Sequence, residues 1–212
     1  VVPAITDPRG VDLNAYKKLG QTDGMANLEI RATNAFRSLG FMMTDTCINY
    51  QTICPPVRGE HVAFGDTGSS IYANSIQGAR TNFEGGPSAL AAALTGRTPR
   101  YGYHLDQCRY GSFLFDVKFR PKDLSDWGAL GAYIGREMES YWEVPVINGI
   151  EKTPTSDEMK QFGAALASFG STPLFHMIGI TPEAPDLKSV FDGTIPKADK
   201  IRQRSLGKLV LA

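Results

Sequence analysis

The order of apolar and polar residues predicts a chain in which helices and strands alternate. One apolar stripe at three- and four-residue steps consists of Met25, Leu28, Ala32, Phe36 and Leu39. It predicts a helix over residues 22–39, which Thr22 or Asp23 can cap at its start. Thr155 and Glu158 have the spacing of a capping box and stand before a second such stripe, which predicts another helix.

The remaining pattern completes the arrangement. Further helices are predicted at 12–19, 87–96 and 124–139. Extended segments or strands are predicted at 41–46, 61–64, 100–105, 112–119, 144–147 and 174–180. The small polar run GDTGSS, residues 65–70, predicts a loop that approaches a ligand closely. The alternation of the two element types favours a layered α/β fold.

Composition narrows the class of protein. With 212 residues and 42% hydrophobic content, the chain can bury a substantial core. The 22 basic and 22 acidic residues balance, which argues against a nucleic-acid-binding protein, because such proteins usually carry a basic excess. No apolar run is long enough to span a bilayer, and no signal-peptide pattern is visible. Three cysteines at irregular spacing do not form a secreted disulfide framework, so we expect a reducing, cytoplasmic setting.

Candidate chemistry is concentrated in residues 59–86, the densest polar segment of the chain. Its polar members are Glu60, His61, Asp66, Thr67, Ser69, Ser70, Asn74, Ser75, Arg80, Thr81, Asn82 and Glu84. Such a mixture supplies donors that bind a carboxylate or phosphate, and carboxylates that transfer protons. The alternative interpretation is a solvated loop with an ordinary helix cap.

Several of these motifs resemble one known family. The run YANSIQGARTNFEGGPSALAAALTGRTPRYGYHLD, with GEHVAFGD before it and FHMIGITPEAP at 175–185, resembles the aconitase X family. VPAITDPRGVDL near the start and TC at 46–47 support the resemblance. The segments keep the family's order and cover nearly the whole chain.

The resemblance implies a hydro-lyase that dehydrates a small anionic hydroxy acid, such as a 3-hydroxyproline isomer or mevalonate 5-phosphate. It implies an aconitase-like layered catalytic domain, present here in part, and a swivel domain that closes over the site. It also implies iron or an iron–sulfur cluster held by cysteines. Hydroxide is a poor leaving group, and a bound Lewis acid lowers that barrier. Asp66 stands where many members have Glu, so the resemblance leaves the substrate open.

Individual roles follow from the resemblance residue by residue. Cys47 matches the family's first cysteine and is the metal-ligand candidate; the alternative is a buried free thiol. Glu60 and His61 are the catalytic candidates, although a hydrogen-bonded structural histidine is equally compatible with the pattern. Arg80 is the natural carboxylate or phosphate anchor, and its alternative is a structural ion pair with Glu84. The remaining substrate-binding candidates are Asp66, Thr67, Ser69, Asn74, Ser75, Thr81 and Asn82.

The other histidines and cysteines are interpreted as structural. His104 and His176 lie in apolar strand candidates, where a structural role is favoured. Cys54 and Cys108 fit no metal-binding spacing with Cys47, so we expect buried or half-buried thiols. The enzyme interpretation requires that Cys47, Asn74 and Arg80 face one cleft.

We expect residues 1–212 to be an internal piece of an aconitase X catalytic region, with an incomplete set of cluster ligands. Residues 197–212, with five basic residues against one acidic, predict a severed basic helix or a tail. Alone, such a piece is expected to be inactive and to need a swivel domain or small subunit as partner. Two alternatives remain, a noncatalytic small-molecule-binding module and one subunit of a split dehydratase.

Overall fold

A parallel four-stranded sheet organises the second half of the chain. The structure is a computed structural model that describes residues 2–191 and 202–206. The strands are β1 (Phe113–Val117), β2 (Pro145–Asn148), β3 (His176–Met177) and β4 (Arg202–Leu206), in the spatial order β3-β2-β1-β4. All three strand pairs are parallel. Parallel neighbours need crossover connections, and one helix lies between β1 and β2 and another between β2 and β3. The predicted α/β class is confirmed.

Six α-helices are described, and side-chain caps fix the start of four of them. They are α1 (Asp23–Ser38), α2 (Asn49–Thr52), α3 (Thr67–Tyr72), α4 (Gly86–Thr95), α5 (Leu124–Glu137) and α6 (Ser156–Gly170). Thr22 caps α1, and the predicted capping box of Thr155 and Glu158 begins α6. Asp66 and Asp123 cap α3 and α5 in the same way. These helices begin where an oxygen-bearing side chain can accept the free backbone N–H groups of the first turn.

Several predicted elements differ from the structure at points where the backbone must turn. Residues 13–20 form successive turns instead of a helix, since a segment of one to two turns gains little from propagation. The segment 61–64 contributes only a single bridge, between His61 and Arg80. The predicted strand at 100–105 contains a 3₁₀ turn, Gly102–His104, because Gly102 has a left-handed φ of +57°.

Three further segments also depart from prediction. The predicted loop 65–70 becomes helical from Thr67 onward because Asp66 caps α3. Within 174–180 only His176–Met177 is a strand. In the predicted helix or tail at 197–212, residues 202–206 instead pair with the edge of β1 as strand β4, which satisfies the backbone groups of that edge. The rest of 197–212 lies outside the described residues.

The sheet separates two apolar clusters because successive strand residues face opposite sides. Phe113, Phe115 and Val117 of β1 pack against α5 and α6, with Leu130 and Phe162 at the centre of that cluster. On the other face, a smaller cluster consists of Leu114, Val146, Ala184, Val190 and Phe191. By contrast, part of the apolar stripe of α1 is exposed, including Leu28 at 62%. None of the described helices is both long and apolar enough to cross a bilayer.

Helices α5 and α6 approach each other closely because glycines line their contact. A methyl group on Gly135 would lie 2.7 Å from the Leu166 carbonyl oxygen, and one on Gly170 would lie 2.6 Å from the Gly135 carbonyl oxygen. A methyl group on Gly131 would overlap the carbonyl oxygen of Phe162. Backbone atoms cannot move aside as a side chain can, so the spacing of the two helices depends on these glycines.

We therefore predict that Gly131→Ala lowers the free energy of unfolding by about 1–3 kcal/mol, through overpacking. Gly128→Ala is the matched control on the same helix. Its methyl group would meet only the amide end of the exposed Gln161, at 2.8 Å, which can rotate away. Urea unfolding followed by tryptophan fluorescence measures both variants. Equal stabilities would show that the helix contact does not depend on Gly131.

Candidate active site

The residues around Cys47 form the first part of the candidate site. The Cys47 side chain is exposed, contrary to the buried-thiol alternative, and its carbonyl accepts a hydrogen bond from the Ser69 hydroxyl at 3.3 Å. Ser69 also donates to the Asp66 carboxylate, which accepts the backbone N–H groups of Gly68 and Ser69 at 2.8 and 3.1 Å. Three sequence-predicted residues thus lie together at the start of α3. Thr67 is the half-buried first residue of that helix.

Asn74 and Ser75 lie behind the surface, in a π-helix (Ala73–Gln77) that continues α3. The Asn74 amide donates to the carbonyls of Thr81 and Pro173 at 2.9 and 2.8 Å, and its oxygen accepts from the Thr81 N–H at 3.0 Å. Ser75 accepts the Phe175 N–H at 2.9 Å. Both side chains therefore connect the polar segment to the stretch that leads into β3, and their contact with a substrate stays a prediction.

Glu84 is the centre of a buried hydrogen-bond network. No separate role was predicted for this residue from the sequence. Its carboxylate accepts hydrogen bonds from the Thr81 hydroxyl, from the Asn82 N–H at 3.0 Å and from His104 Nε2 at 3.0 Å. Burial alone would raise the pKa of Glu84, but these three donors outweigh it and leave the pKa below its ordinary value. Phe83, with a left-handed φ of +63°, turns the chain so that Glu84 points inward.

His61 stands in front of this network. Its Nδ1 lies 2.8 Å from Nδ1 of His104, and the two rings stack with their planes 25° apart. His104 is buried, whereas His61 is exposed. Burial against its neighbours, followed by the electrostatic effects of His104 and the Arg80 charge, lowers the pKa of His61. Glu60, the other catalytic candidate, is exposed and accepts the Val57 N–H at 2.9 Å, within its own turn.

Arg80 lies beside His61 through a parallel bridge, in which the Val62 N–H donates to the Arg80 carbonyl at 2.9 Å. Its guanidinium pairs with Asp106 at 2.5 Å and lies 4.0 Å from Glu183. The alternative interpretation of Arg80, a structural ion pair, is present in the structure, but the partner is Asp106 and not Glu84, which is occupied by His104. Asn82 holds the adjacent turn by donating to the Tyr101 carbonyl at 2.9 Å.

Arg109 was missed by sequence reasoning, yet all five of its N–H groups have acceptors. The guanidinium is 4% exposed and binds Glu183 with contacts of 2.6, 3.0 and 3.1 Å. It also donates to the side-chain oxygen of Asn74 at 3.1 Å, and to the carbonyls of Asn74 and Tyr103 at 3.0 Å each. An arginine immediately before an apolar strand was the available signal, since a buried arginine requires such partners.

Two depressions open beside these groups. A cavity of about 140 Å³ is lined by Arg109, Asp106, Glu183 and His176, among others. The His176 Nε2 lies 2.6 Å from the Arg109 carbonyl, and burial lowers the pKa of His176. A second depression of about 560 Å³ lies between Asn82, Glu84 and helix α4. Neither is lined by Cys47, Asn74 or Arg80, so the expected shared cleft is not formed by either of them.

Metal-binding groups are sparse in this part of the chain. Within residues 2–191 and 202–206, no three His, Cys, Asp or Glu side chains gather as they would around a metal ion. Cys47 offers one exposed thiol, and Cys54 and Cys108 are half-buried, as predicted. The described residues therefore do not by themselves form a complete ligand set for an iron centre.

Fold and site together define an α/β protein whose buried polar network supports an exposed histidine and a half-buried arginine. The family model for the aconitase X first domain matches residues 1–107, and that for the aconitase X second domain matches residues 111–207. The chain belongs to the aconitase X family. The resemblance inferred from the motifs is confirmed.

Its relatives are dehydratases, that is, hydro-lyases. The phosphomevalonate dehydratase large subunit of Methanothermobacter thermautotrophicus is 40% identical over 86% of this chain and 45% of that protein. The cis-3-hydroxy-L-proline dehydratase of Pseudomonas aeruginosa is 33% identical over 92% of this chain and 34% of that protein. The crystal structure of Thermococcus kodakaraensis aconitase X in its holo-form has a TM-score of 0.80 at 32% identity, over 97% of this chain and 48% of that one. The chain spans half or less of the length of each.

For the buried arginine we predict that Arg109→Lys lowers the free energy of unfolding by about 2–5 kcal/mol, because one ammonium group leaves several buried acceptors without a donor. Arg136→Lys is the control, since Arg136 is exposed on α5 and only stacks on Phe169 at 4.9 Å. Its effect should stay below about 1 kcal/mol. Denaturant unfolding of both variants measures the difference. A loss as small for Arg109 as for Arg136 would contradict the prediction.

Proposed function

We propose that this chain supplies proton-transfer and anion-binding groups to a hydro-lyase that dehydrates a small anionic hydroxy acid. The observation that carries the proposal is the position of the exposed His61 beside Arg80, whose backbone bridges that of His61 and whose charge acts on the His61 imidazole. Dehydration removes a proton next to the departing hydroxyl, so a base and an anchor for the substrate's anionic group must stand close together. The dehydratase relatives support the same reaction class.

In this proposal His61 takes the proton and Arg80 binds the substrate's carboxylate or phosphate. Asp106, the present partner of Arg80, has a side chain that is 78% exposed, so an incoming anion can replace it. The planar guanidinium binds two oxygens of a carboxylate at once. Contacts of the substrate with Asp66, Thr67, Ser69, Thr81 and Asn82, and a proton-transfer role for Glu60, stay predictions.

The substrate and the partner also belong to the proposal. The relatives' names point to phosphomevalonate or cis-3-hydroxy-L-proline as the substrates to test. Five relatives of which the chain covers about half the length are named large subunits, which supports a small subunit or a swivel domain as partner. Copurification of a second polypeptide from the native source tests this, and cell fractionation tests the expected cytoplasmic setting.

We predict that His61→Gln lowers kcat of the assembled enzyme by roughly 10²–10⁴-fold, since it removes the base, and leaves KM nearly unchanged. Arg80→Lys should mainly raise KM, because an ammonium group lacks the planar fork that binds two oxygens. Gln107→Ala, an exposed neighbour outside the site, is the control. Steady-state assays with both candidate substrates measure the effects.

The outcomes separate the proposal from its alternative. Binding of a candidate substrate without turnover by the assembled wild-type protein would favour a noncatalytic binding module. Full activity of His61→Gln would remove His61 from the mechanism.

We further propose that Cys47 gives one thiolate to the iron centre that the family resemblance implies. Bound iron would polarise the departing hydroxyl. Its other ligands would come from outside the described residues.

After anaerobic reconstitution of the assembled enzyme with iron and sulfide, Cys47→Ala should contain less iron per chain and absorb less visible light than wild type. Cys54→Ala, which removes a half-buried thiol, should match wild type. Equal iron content in both variants would exclude Cys47 as a ligand.

A further inference from the structure

The hydrogen bonds around Glu84 determine where His104 carries its hydrogen. An ionised carboxylate only accepts hydrogen bonds, and Glu84 lies among three donors that keep it ionised. His104 Nε2 is 3.0 Å from the Glu84 oxygen, so this nitrogen bears the hydrogen. In a neutral imidazole the other nitrogen is then a lone-pair acceptor. Nδ1 of His104 is therefore an acceptor that faces outward.

The same reasoning extends to His61. Its Nδ1 lies 2.8 Å from the acceptor nitrogen of His104, and two lone pairs at that distance would repel each other. Nδ1 of His61 must therefore carry the hydrogen. This leaves Nε2 of the exposed ring with a free lone pair, which is the atom that can accept a proton from a ligand.

We propose that Glu84 and His104 are positioning residues that hold His61 in the tautomer with its basic nitrogen at the surface. Only the catalytic use of that nitrogen rests on the proposed function, because the tautomer follows from the hydrogen-bond contacts of Glu84 and His104. The order of groups, from buried carboxylate through one imidazole to an exposed reactive group, is the arrangement in which a carboxylate orients a catalytic histidine. Here a second imidazole extends it by one ring.

The charged groups around the two rings oppose protonation of both rings at once. Glu84 faces them from the loop before α4, Arg80 from the bridging segment, and Asp106 and Arg109 from the turns that follow His104. Two imidazolium rings in contact would repel each other and both arginines. The pKa of His61 is lowered, chiefly by burial and then by His104 and Arg80, and a lowered pKa favours the neutral ring that can act as a base.

NMR of isotope-labelled histidine in the full chain tests the inference directly, because the chain contains three histidines. The spectrum should show hydrogen on Nδ1 of His61 and on Nε2 of His104. His176 is the internal reference, since its Nε2 hydrogen is fixed by the Arg109 carbonyl and does not depend on Glu84. Hydrogen on Nε2 of His61 in the neutral wild-type protein would overturn the proposal.

Two substitutions of His104 give a conservative rescue. Glutamine carries a donor and an acceptor at nearly the spacing of the two imidazole nitrogens, so His104→Gln should keep the hydrogen of His61 on Nδ1. His104→Leu fills similar space without polar atoms and should release His61 to the Nε2-protonated tautomer that free imidazole side chains favour. If both variants leave the His61 tautomer unchanged while the His176 signals report a folded chain, His104 does not position it. If His104→Leu does not fold, the wild-type and glutamine spectra still decide the question.

Charge and catalysis are tested separately. Glu84→Gln keeps an acceptor for His104 but removes the negative charge, so the pH midpoint of the His61 signals should fall while its tautomer is kept. In the assembled enzyme, His104→Leu should lower kcat/KM on the order of 10²-fold and shift its acid limb, and His104→Gln should restore most of the loss. Predicted tautomers without any dehydratase activity would refute the proposed function and leave this inference standing. A kcat/KM of His104→Leu equal to that of the wild-type enzyme would refute the positioning role.

Discussion

The buried guanidinium of Arg109 is the constraint on which the rest of the site depends. A charge removed from water is tolerated only if a counter-ion and a full set of acceptors surround it. Glu183 supplies the counter-ion, while Asn74 and the Tyr103 carbonyl complete the acceptors. Those partners come from three separate segments. The guanidinium therefore fixes the π-helix, the turn before β1 and the segment after β3 relative to each other, at the boundary between the two family domains.

This constraint accounts for the many internal hydrogen bonds of the most polar segment of the chain. Asn74, Ser75 and Thr81 belong to the residue types that bind substrates, but they are buried and bonded to the segment that leads into β3 or to Glu84. Their hydrogen bonds stabilise the support beneath the more accessible groups. Among those groups, His61 and Cys47 are exposed, and Asp66 and Arg80 are half-buried. A polar segment can thus be functional through a few exposed side chains while most of its hydrogen bonds hold those few in place.

The close approach of α5 and α6 likewise depends on a few residues that determine how larger elements pack. Glycines remove side-chain bulk at the contact, so the apolar residues of both helices reach the same face of β1. The strand that follows Arg109 is then buried on both faces, with Leu114 in the smaller cluster. Rigid packing of β1 limits the freedom of the turn that carries the guanidinium, and in this way the core and the polar network support each other.

The sequence by itself determined whatever depends on neighbouring residues. Thr22 and the Thr155–Glu158 capping box specify helix starts, and the alternation of Phe113, Phe115 and Val117 specifies a strand with one face in the core. The long motif around GARTNFEGGPSALAAALTGRTP specified the family. Only the tertiary structure decided that His104 bonds to Glu84, 20 residues away, and Arg109 to Glu183, 74 residues away. The physical reason is that a side chain's burial and partner depend on which distant segments pack around it, and no local period or spacing records that.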